Sequence, residues 1–283
     1  MKIKSYKYAI ASENRDGRAV IEGIDRNKYT CQVIPEDIKE YMKSIRSTGK
    51  TALLIAGGPA IHHSDARNVN GLAVEGIVAV KSQIGYNMYS IAKYFECDID
   101  YVSINANTCA SSMYCVYEAK RLMSEGYTDV IIVAVDMVDS QELLFKQLGI
   151  SLICGDCIVV AHLTRDEGIA SIDDVVWTWN NDKSPMSVSS EGYEKVVNSL
   201  CTYGVDLIKT HGSGTDRNTM EEMKAIENID CRKIAYKQEI GHTQGASSIV
   251  EICMMLDREE FTKAMVLASG LGGFYGGCIV SKE

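Results

Sequence analysis

The chain has 283 residues, 46% of them hydrophobic and 24% charged, with only 3 prolines. That is enough apolar material for a large core, and too little charge and proline for a disordered chain. A net charge of −9 argues against nucleic acid as a partner, and no apolar run reaches the ~18–20 residues that span a bilayer.

The opening stretch, MKIKSYKYAIASENRDGRAV, has a basic start but only a brief apolar stretch before Ser12. It does not read as a signal peptide, and a cytoplasmic location is expected. The ten cysteines fit reduced surroundings, because most sit inside apolar runs as small hydrophobes.

Taken in chain order, TALLIAGG (51–58) reads as a buried strand ending in a glycine turn. GYNMYSIAKYF (85–95) has helical spacing at Met88, Ile91, Ala92 and Phe95. YVSIN (101–105) reads as a strand, Ala110 to Met123 as a helix, and DVIIVAVD (129–136) and CIVVAHL (157–163) as strands. Asp173 to Glu194 is polar and reads as a connection or covering loop. GVDLIKTH (204–211) is then a strand, Asn218 to Ile226 a helix, RKIAYK (232–237) a strand, and Thr243 to Leu256 a helix. AMVLASG (264–270) and GCIVS (277–281) close the chain as strands. Strands alternating with helices predict an α/β layered fold. The plan repeats. In each half a strand leads through a Ser/Ala-rich helix start, NANTCASS or KQEIGHTQGASS, to a helix and a further strand. A pseudo-twofold would bring these two helix starts together at the centre.

Three residues in such turns can carry chemistry. Cys109 stands at a helix start, where unsatisfied N–H groups and the helix dipole favour the reactive thiolate. Alone it reads more readily as a buried structural cysteine. His211 lies just past a strand in HGSGT, between backbone that can approach a ligand and the hydroxyls of Ser213 and Thr215. His242, in GHTQGASS, sits where a neutral imidazole is favoured and can donate to a developing oxyanion. His62 and His63 have no further ligand at metal spacing, so no metal is expected. The pair Cys154 and Cys157 forms a lone CxxC leading into a strand, unlike a redox motif that opens a helix. GLGGFYGG (270–277) lies between two strands and suits a tight turn lining a site, not a phosphate loop.

Together these segments resemble the β-ketoacyl synthases of the thiolase superfamily. The family's TACxSS is similar to NTCASS, its HGTGT to HGSGT, its KxxxGHxxGAAG to the run from Lys237 to Ala246 with Glu251 beyond, and its GFGG to Gly270–Gly273. The motifs come in the family's order, from about Ala79 to the C-terminus. The resemblance implies a thiolase-like fold of two pseudo-repeated βαβαβαββ halves in an αβαβα arrangement, here residues 1–165 and 166–283. It implies that Cys109 is the acylated nucleophile and that His211 and His242 assist decarboxylation and stabilise the enolate. Lys237, paired with Glu251, would hold the histidine network. The N–H groups of Cys109 and Leu271 would form the oxyanion hole. Ser213 and Thr215 would meet a phosphopantetheine arm, and Leu271 and Phe274 the substrate.

The implied reaction is decarboxylative Claisen condensation of a Cys-bound acyl group with a malonyl-type thioester, in fatty acid or polyketide-like synthesis. No cofactor is implied beyond the phosphopantetheine thioester of an acyl carrier protein, or CoA, as substrate. A homodimer is implied, with a heterodimer as an alternative. The chain departs from the family in length, in a short stretch between Asp136 and Gly155, in Leu271 where the family has a gating phenylalanine, and in Phe274-Tyr275 where it has Thr-Asn. These departures keep two other readings open: acyl transfer or thioester hydrolysis without elongation, and a non-catalytic partner subunit.

Overall fold

The computed structural model describes residues 1–11, 13–15, 18–24, 33–57, 84–137, 151–181, 188–200 and 203–282. His62, His63, Cys31, Cys201 and most of the stretch between Asp136 and Gly155 lie outside them. The first part of the chain supplies β1 (Lys2–Ile10), β2 (Glu13–Arg15), β3 (Arg18–Val20), α1 (Glu36–Ser44), β4 (Thr51–Ala56), α2 (Ile84–Ala92), β5 (Tyr101–Asn105), α3 (Ser111–Ser124), β6 (Asp129–Asp136), β7 (Cys154–Gly155) and β8 (Cys157–Thr164). The second supplies β9 (Ala170–Trp179), α4 (Ser190–Leu200), β10 (Leu207–Lys209), α5 (Asp216–Ala225), β11 (Arg232–Ile234), α6 (Lys237–Ile240), α7 (Ser247–Arg258), β12 (Lys263–Gly270) and β13 (Phe274–Lys282).

Among the described residues the large sheet runs β11-β10-β12-β13-β9-β1-β8-β6-β4-β5. It is symmetric about its middle. β4 pairs in parallel with β5 and β6, and β8 joins β6 and β1 antiparallel. Likewise β10 pairs in parallel with β11 and β12, and β13 joins β12 and β9 antiparallel. Within the sheet, among the described residues, the two five-stranded units are joined where Lys2 and Ile3 pair with Ser171 and Ala170. The proposed division into 1–165 and 166–283 falls between β8 and β9.

The composition of the strands follows their position. β4, β6 and β8 are buried at every residue, as expected for apolar strands covered on both faces. Their inward faces, with α3 and α7, form one core between the two units. The other face of the first unit packs with α1 and α2, and that of the second with α4 and α5. Helices therefore lie outside, between and outside again, which gives the αβαβα arrangement. Each fully buried Val, Ile or Leu in these layers contributes about 1.5–3 kcal/mol. Among the described residues no helix is long and apolar enough to cross a membrane.

Several local expectations need correction. The run read as a loop from Asp173 begins inside β9, and its later part enters α4. Asp173 and Asp174 disguise the strand, and the structure satisfies both. Ser171 and Ser281 hydroxyls donate to Asp173, while Lys120 and the Tyr203 hydroxyl donate to Asp174. The lysine- and tyrosine-rich opening is a nine-residue strand, β1, with Tyr6 and Tyr8 hydroxyls donating to Asp257 at 2.5 and 2.8 Å. The strands expected over 204–211 and 232–237 shorten to β10 and β11. Lys237 is therefore not on a strand; it opens α6.

Candidate active site

Two helix starts meet at the centre. The 3-10 turn Thr108–Ala110 leads into α3 at Ser111, and the turn Gln244–Ala246 leads into α7 at Ser247. Both turns begin with a non-glycine residue in the left-handed region, Thr108 at φ 52° and Gln244 at φ 42°. Asn107-Thr108-Cys109-Ala110-Ser111-Ser112 thus matches Thr243-Gln244-Gly245-Ala246-Ser247-Ser248, and the position equivalent to Cys109 is Gly245. The turns are fixed from outside. Ala246 N–H donates to Asp136 at 2.9 Å, and Ile249 N–H donates to the Ser112 hydroxyl at 3.2 Å. β12 closes in so tightly that a Cβ at Gly270 would lie 2.5 Å from Thr108 Oγ1 and 2.7 Å from Asn107 O.

Cys109, His211 and His242 line one cavity of about 410 Å3, together with Ser213, Thr215 and Leu271. The two imidazoles meet edge to face, with ring centroids 5.4 Å apart at 71°. His242 Nδ1 accepts the Gln244 N–H at 3.0 Å, and His211 Nδ1 accepts the Ser269 N–H at 3.4 Å. Each ring therefore carries its proton on Nε2 and is a donor. Burial holds both imidazoles well below their ordinary pKa, with the Lys237 charge acting in the same direction. They are neutral across the physiological range. Burial also pushes the Cys109 thiol up to about 12, with Lys237 opposing. The thiolate expected from the helix start is thus not the resting form. In a site only 8% exposed, desolvation outweighs the field of the helix. The thiol donates instead to Gln244 Oε1 at 3.5 Å.

Lys237 Nζ donates to His211 O at 2.6 Å and to Glu251 Oε1 at 2.7 Å. Glu251 Oε2 pairs with Lys209, so one fully buried carboxylate on α7 holds two buried lysines. Glu222 on α5 accepts the N–H groups of His211 and Gly212 at 2.5 and 2.9 Å. Burial raises its pKa and these two N–H groups lower it. Behind Ser269, the Tyr193 hydroxyl donates to Asn218 Oδ1 at 2.9 Å and shares a second hydrogen bond, at 2.7 Å, with the Ser269 hydroxyl. The loop carrying His242 rests on the small sheet β2-β3-β7: His242 N–H donates to Ile153 O at 2.6 Å, and Gly155 N–H to His242 O at 3.1 Å. Gly241, at φ 74°, and Gly155 allow that approach, since a Cβ at 155 would lie 2.0 Å from Ile240 O.

Cys109, His211, His242, Lys237, Glu251, Ser213, Thr215 and Leu271 are thus all gathered at or beside the cavity. Phe274 does not line it. Its ring stacks on Trp177, with centroids 5.8 Å apart, and lies against Gly272. Lys209, Glu222 and Gln244 were not singled out from the sequence. Lys209 had a signal, as a charge inside the apolar run VDLIKTH. Glu222 and Gln244 had none. Among the described residues no group of three or more His, Cys, Asp or Glu side chains could hold a metal ion.

Comparison with known proteins bears on the fold and on one segment of the chain. Residues 180–260 match the model of the β-ketoacyl synthase C-terminal domain. No curated protein matches the chain. The ketosynthase from module 6 of the bacillaene synthase of Bacillus subtilis 168 superposes with a TM-score of 0.69 at 11% identity, covering 91% of this chain and 59% of that one. The ishigamide ketosynthase/chain length factor gives 0.68 at 15% identity, covering 83% and 76%. An oxazolomycin ketosynthase domain from Streptomyces albus JA3453 gives 0.67 at 11%, covering 83% and 55%. The chain spans little more than half the length of the bacillaene and oxazolomycin domains. The resemblance to the β-ketoacyl synthases of the thiolase superfamily therefore holds in two respects: the thiolase-like fold runs through most of this chain, and residues 180–260 match that family's C-terminal domain.

Proposed function

We propose that this chain is a ketosynthase-type acyltransferase that uses Cys109 as its nucleophile. The observation that carries the reading is the pairing of a thiol with two neutral imidazoles, both held as Nε2–H donors, in one cavity. Such rings are poor bases and good hydrogen-bond donors, which suits stabilising an enolate oxygen.

In the first half-reaction Cys109 sulfur bonds to the thioester carbonyl carbon of a phosphopantetheine arm or CoA. The N–H groups of Cys109 and Leu271 take the oxyanion. The carrier sulfur leaves and takes the proton that the Cys109 thiol gives up. In the second, a malonyl-type thioester loses CO2, and the resulting enolate oxygen is held by His211 and His242. The enolate carbon bonds to the acyl carbon, the bond to Cys109 sulfur breaks, and a β-ketoacyl thioester departs. Lys237, Glu251, Lys209 and Glu222 set the positions of the two histidine loops. Ser213 and Thr215 at the cavity wall suit the amide-rich arm of a carrier, so an acyl carrier protein is the proposed partner and a homodimer the proposed assembly.

Incubation with acyl and malonyl carrier thioesters, read by mass spectrometry, tests this. A β-ketoacyl product that disappears in Cys109→Ala is expected. Acyl-Cys109 that is transferred or hydrolysed without elongation would replace condensation with the simpler transferase reading. No acylation of Cys109 by any thioester would sink both and leave a non-catalytic partner subunit.

A further inference from the structure

Neither imidazole can take the Cys109 proton in this arrangement, because each Nδ1 already accepts a backbone N–H and each Nε2 holds a proton. Something else must stabilise the sulfur once it is charged. Gln244 is in contact with it. Its side chain is 9% exposed and lies between two thiols. Cys109 S–H donates to Oε1 at 3.5 Å, and Nε2 donates to Cys154 Sγ at 3.7 Å. Gln244 also stands at φ 42°, a region that side-chain-bearing residues rarely adopt and glycine enters freely. A side chain kept at such a place, between the nucleophile and a second buried cysteine, needs a reason.

We propose that Gln244 and Cys154 form a reversible hydrogen-bond pair that serves both protonation states of Cys109. A carboxamide turned by 180° exchanges its oxygen and nitrogen at nearly unchanged shape. In the resting orientation Oε1 accepts from the Cys109 thiol and Nε2 donates to Cys154 sulfur. In the turned orientation Nε2 donates to the Cys109 thiolate, and Cys154 S–H donates to Oε1. The number of hydrogen bonds is the same. Cys154 makes this possible because a thiol both donates and accepts. A donor to the thiolate is charge-assisted and stronger than the bond it replaces. The turn therefore favours ionisation at the moment a thioester reaches the cavity. This assigns a role to Cys154, the first cysteine of the CxxC, whose segment already props the His242 loop. Both are positioning residues acting through Cys109. The inference rests on the reading of Cys109 as the nucleophile.

The test uses no thioester, so it stands apart from the test of condensation. The rate of Cys109 alkylation by iodoacetamide is followed against pH by peptide mass mapping in the full-length protein. That thiol is pushed up to about 12, so rates are compared at mildly alkaline pH, well below the midpoint. There each rate is proportional to the thiolate fraction and so reports the shift of the midpoint. Gln244→Leu keeps the bulk and removes the donor. The midpoint should rise by about one pH unit, so that alkylation below the midpoint slows about tenfold, the loss expected of a charge-assisted hydrogen bond. Gln244→Glu, which can only accept, should raise it at least as far. Cys154→Ala should raise it by a smaller amount, and Cys154→Ser, which can still donate and accept, should bring it back toward the native value. A merely structural role would lower the melting temperature and leave the midpoint in place. An unchanged midpoint in folded Gln244→Leu, or a lowered one, overturns the proposal. If Gln244→Leu does not fold, the Cys154 pair decides: equal midpoints in the Ala and Ser variants overturn it.

Discussion

At the scale of single residues, the site is a set of neutral donors around a buried thiol, held by charges one layer further out. The two histidines differ in their supports, yet both end with the same tautomer, one through Gln244 N–H and the other through Ser269 N–H. Replacing either with alanine should lower β-ketoacyl product formation about 100–1000-fold, while acylation of Cys109 continues. A comparison of acyl-enzyme formed with product formed, both by mass spectrometry, checks this. Loss of acylation in both variants would mean that the rings serve the first step. Cys109, His211 and His242 were legible through their family-like motifs in order, since each taken alone reads as a structural residue, and the structure brings the three to one cavity. Gln244 was not, since its role depends on the opposite helix start. Nor was the protonation of Cys109. A helix start argues for thiolate, and only the packed structure shows how completely water is excluded from it.

At the scale of elements, β10, α6 and α7 are tied by one carboxylate. Glu251→Gln leaves the buried Lys209 and Lys237 without their counter-charge, and should destabilise the fold by about 3–5 kcal/mol. Chemical denaturation of the two proteins measures this directly. An effect under about 1 kcal/mol would mean that the lysines find other partners. The hairpin of β12 and β13 meets the turn that carries Cys109 at Gly270. Gly270→Ala should push Thr108 and Asn107 aside and slow acylation of Cys109 by at least about tenfold, with little change in secondary structure by circular dichroism. Acylation at the native rate would show that the turn shifts without cost. Apolar strands such as β4, β6, β8 and β12 were readable within a residue or so, because burial on both faces demands unbroken apolar runs. β1 and β9 were not. They lie at the junction of the two units, where Lys, Tyr and Asp residues find partners on distant elements, and their alternation is blurred by those polar contacts.

At the scale of the whole molecule, the buried imidazoles couple folding to acid. Their folded-state pKa values lie below the unfolded value of about 6.5, so the unfolded chain binds protons that the folded chain refuses. Stability is fully present above that pH and is lost as pH falls through it. Two such groups give a slope approaching about 2.7 kcal/mol per pH unit. His162, also lowered by burial, adds in the same direction. Thermal melts from pH 7.5 to 5.0 should show this decline, and a His211→Asn, His242→Asn double variant should show a shallower one. A flat profile in the native protein would contradict the buried neutral state.

The pairing of β1 with β8 also sets how the chain reaches this state. Lys2 and Ile10 pair with Thr164 and Cys157, so the first strand waits for partners about 150 residues downstream. Closing so long a loop must precede any gain from the contact, which places the molecule among slow folders with high contact order. During synthesis, β1 remains an unsatisfied edge while β4, β5 and β6 are already able to assemble. Its lysines at positions 2, 4 and 7 are well suited to that interval, because charged side chains along a bare strand discourage pairing with another chain before β8 arrives.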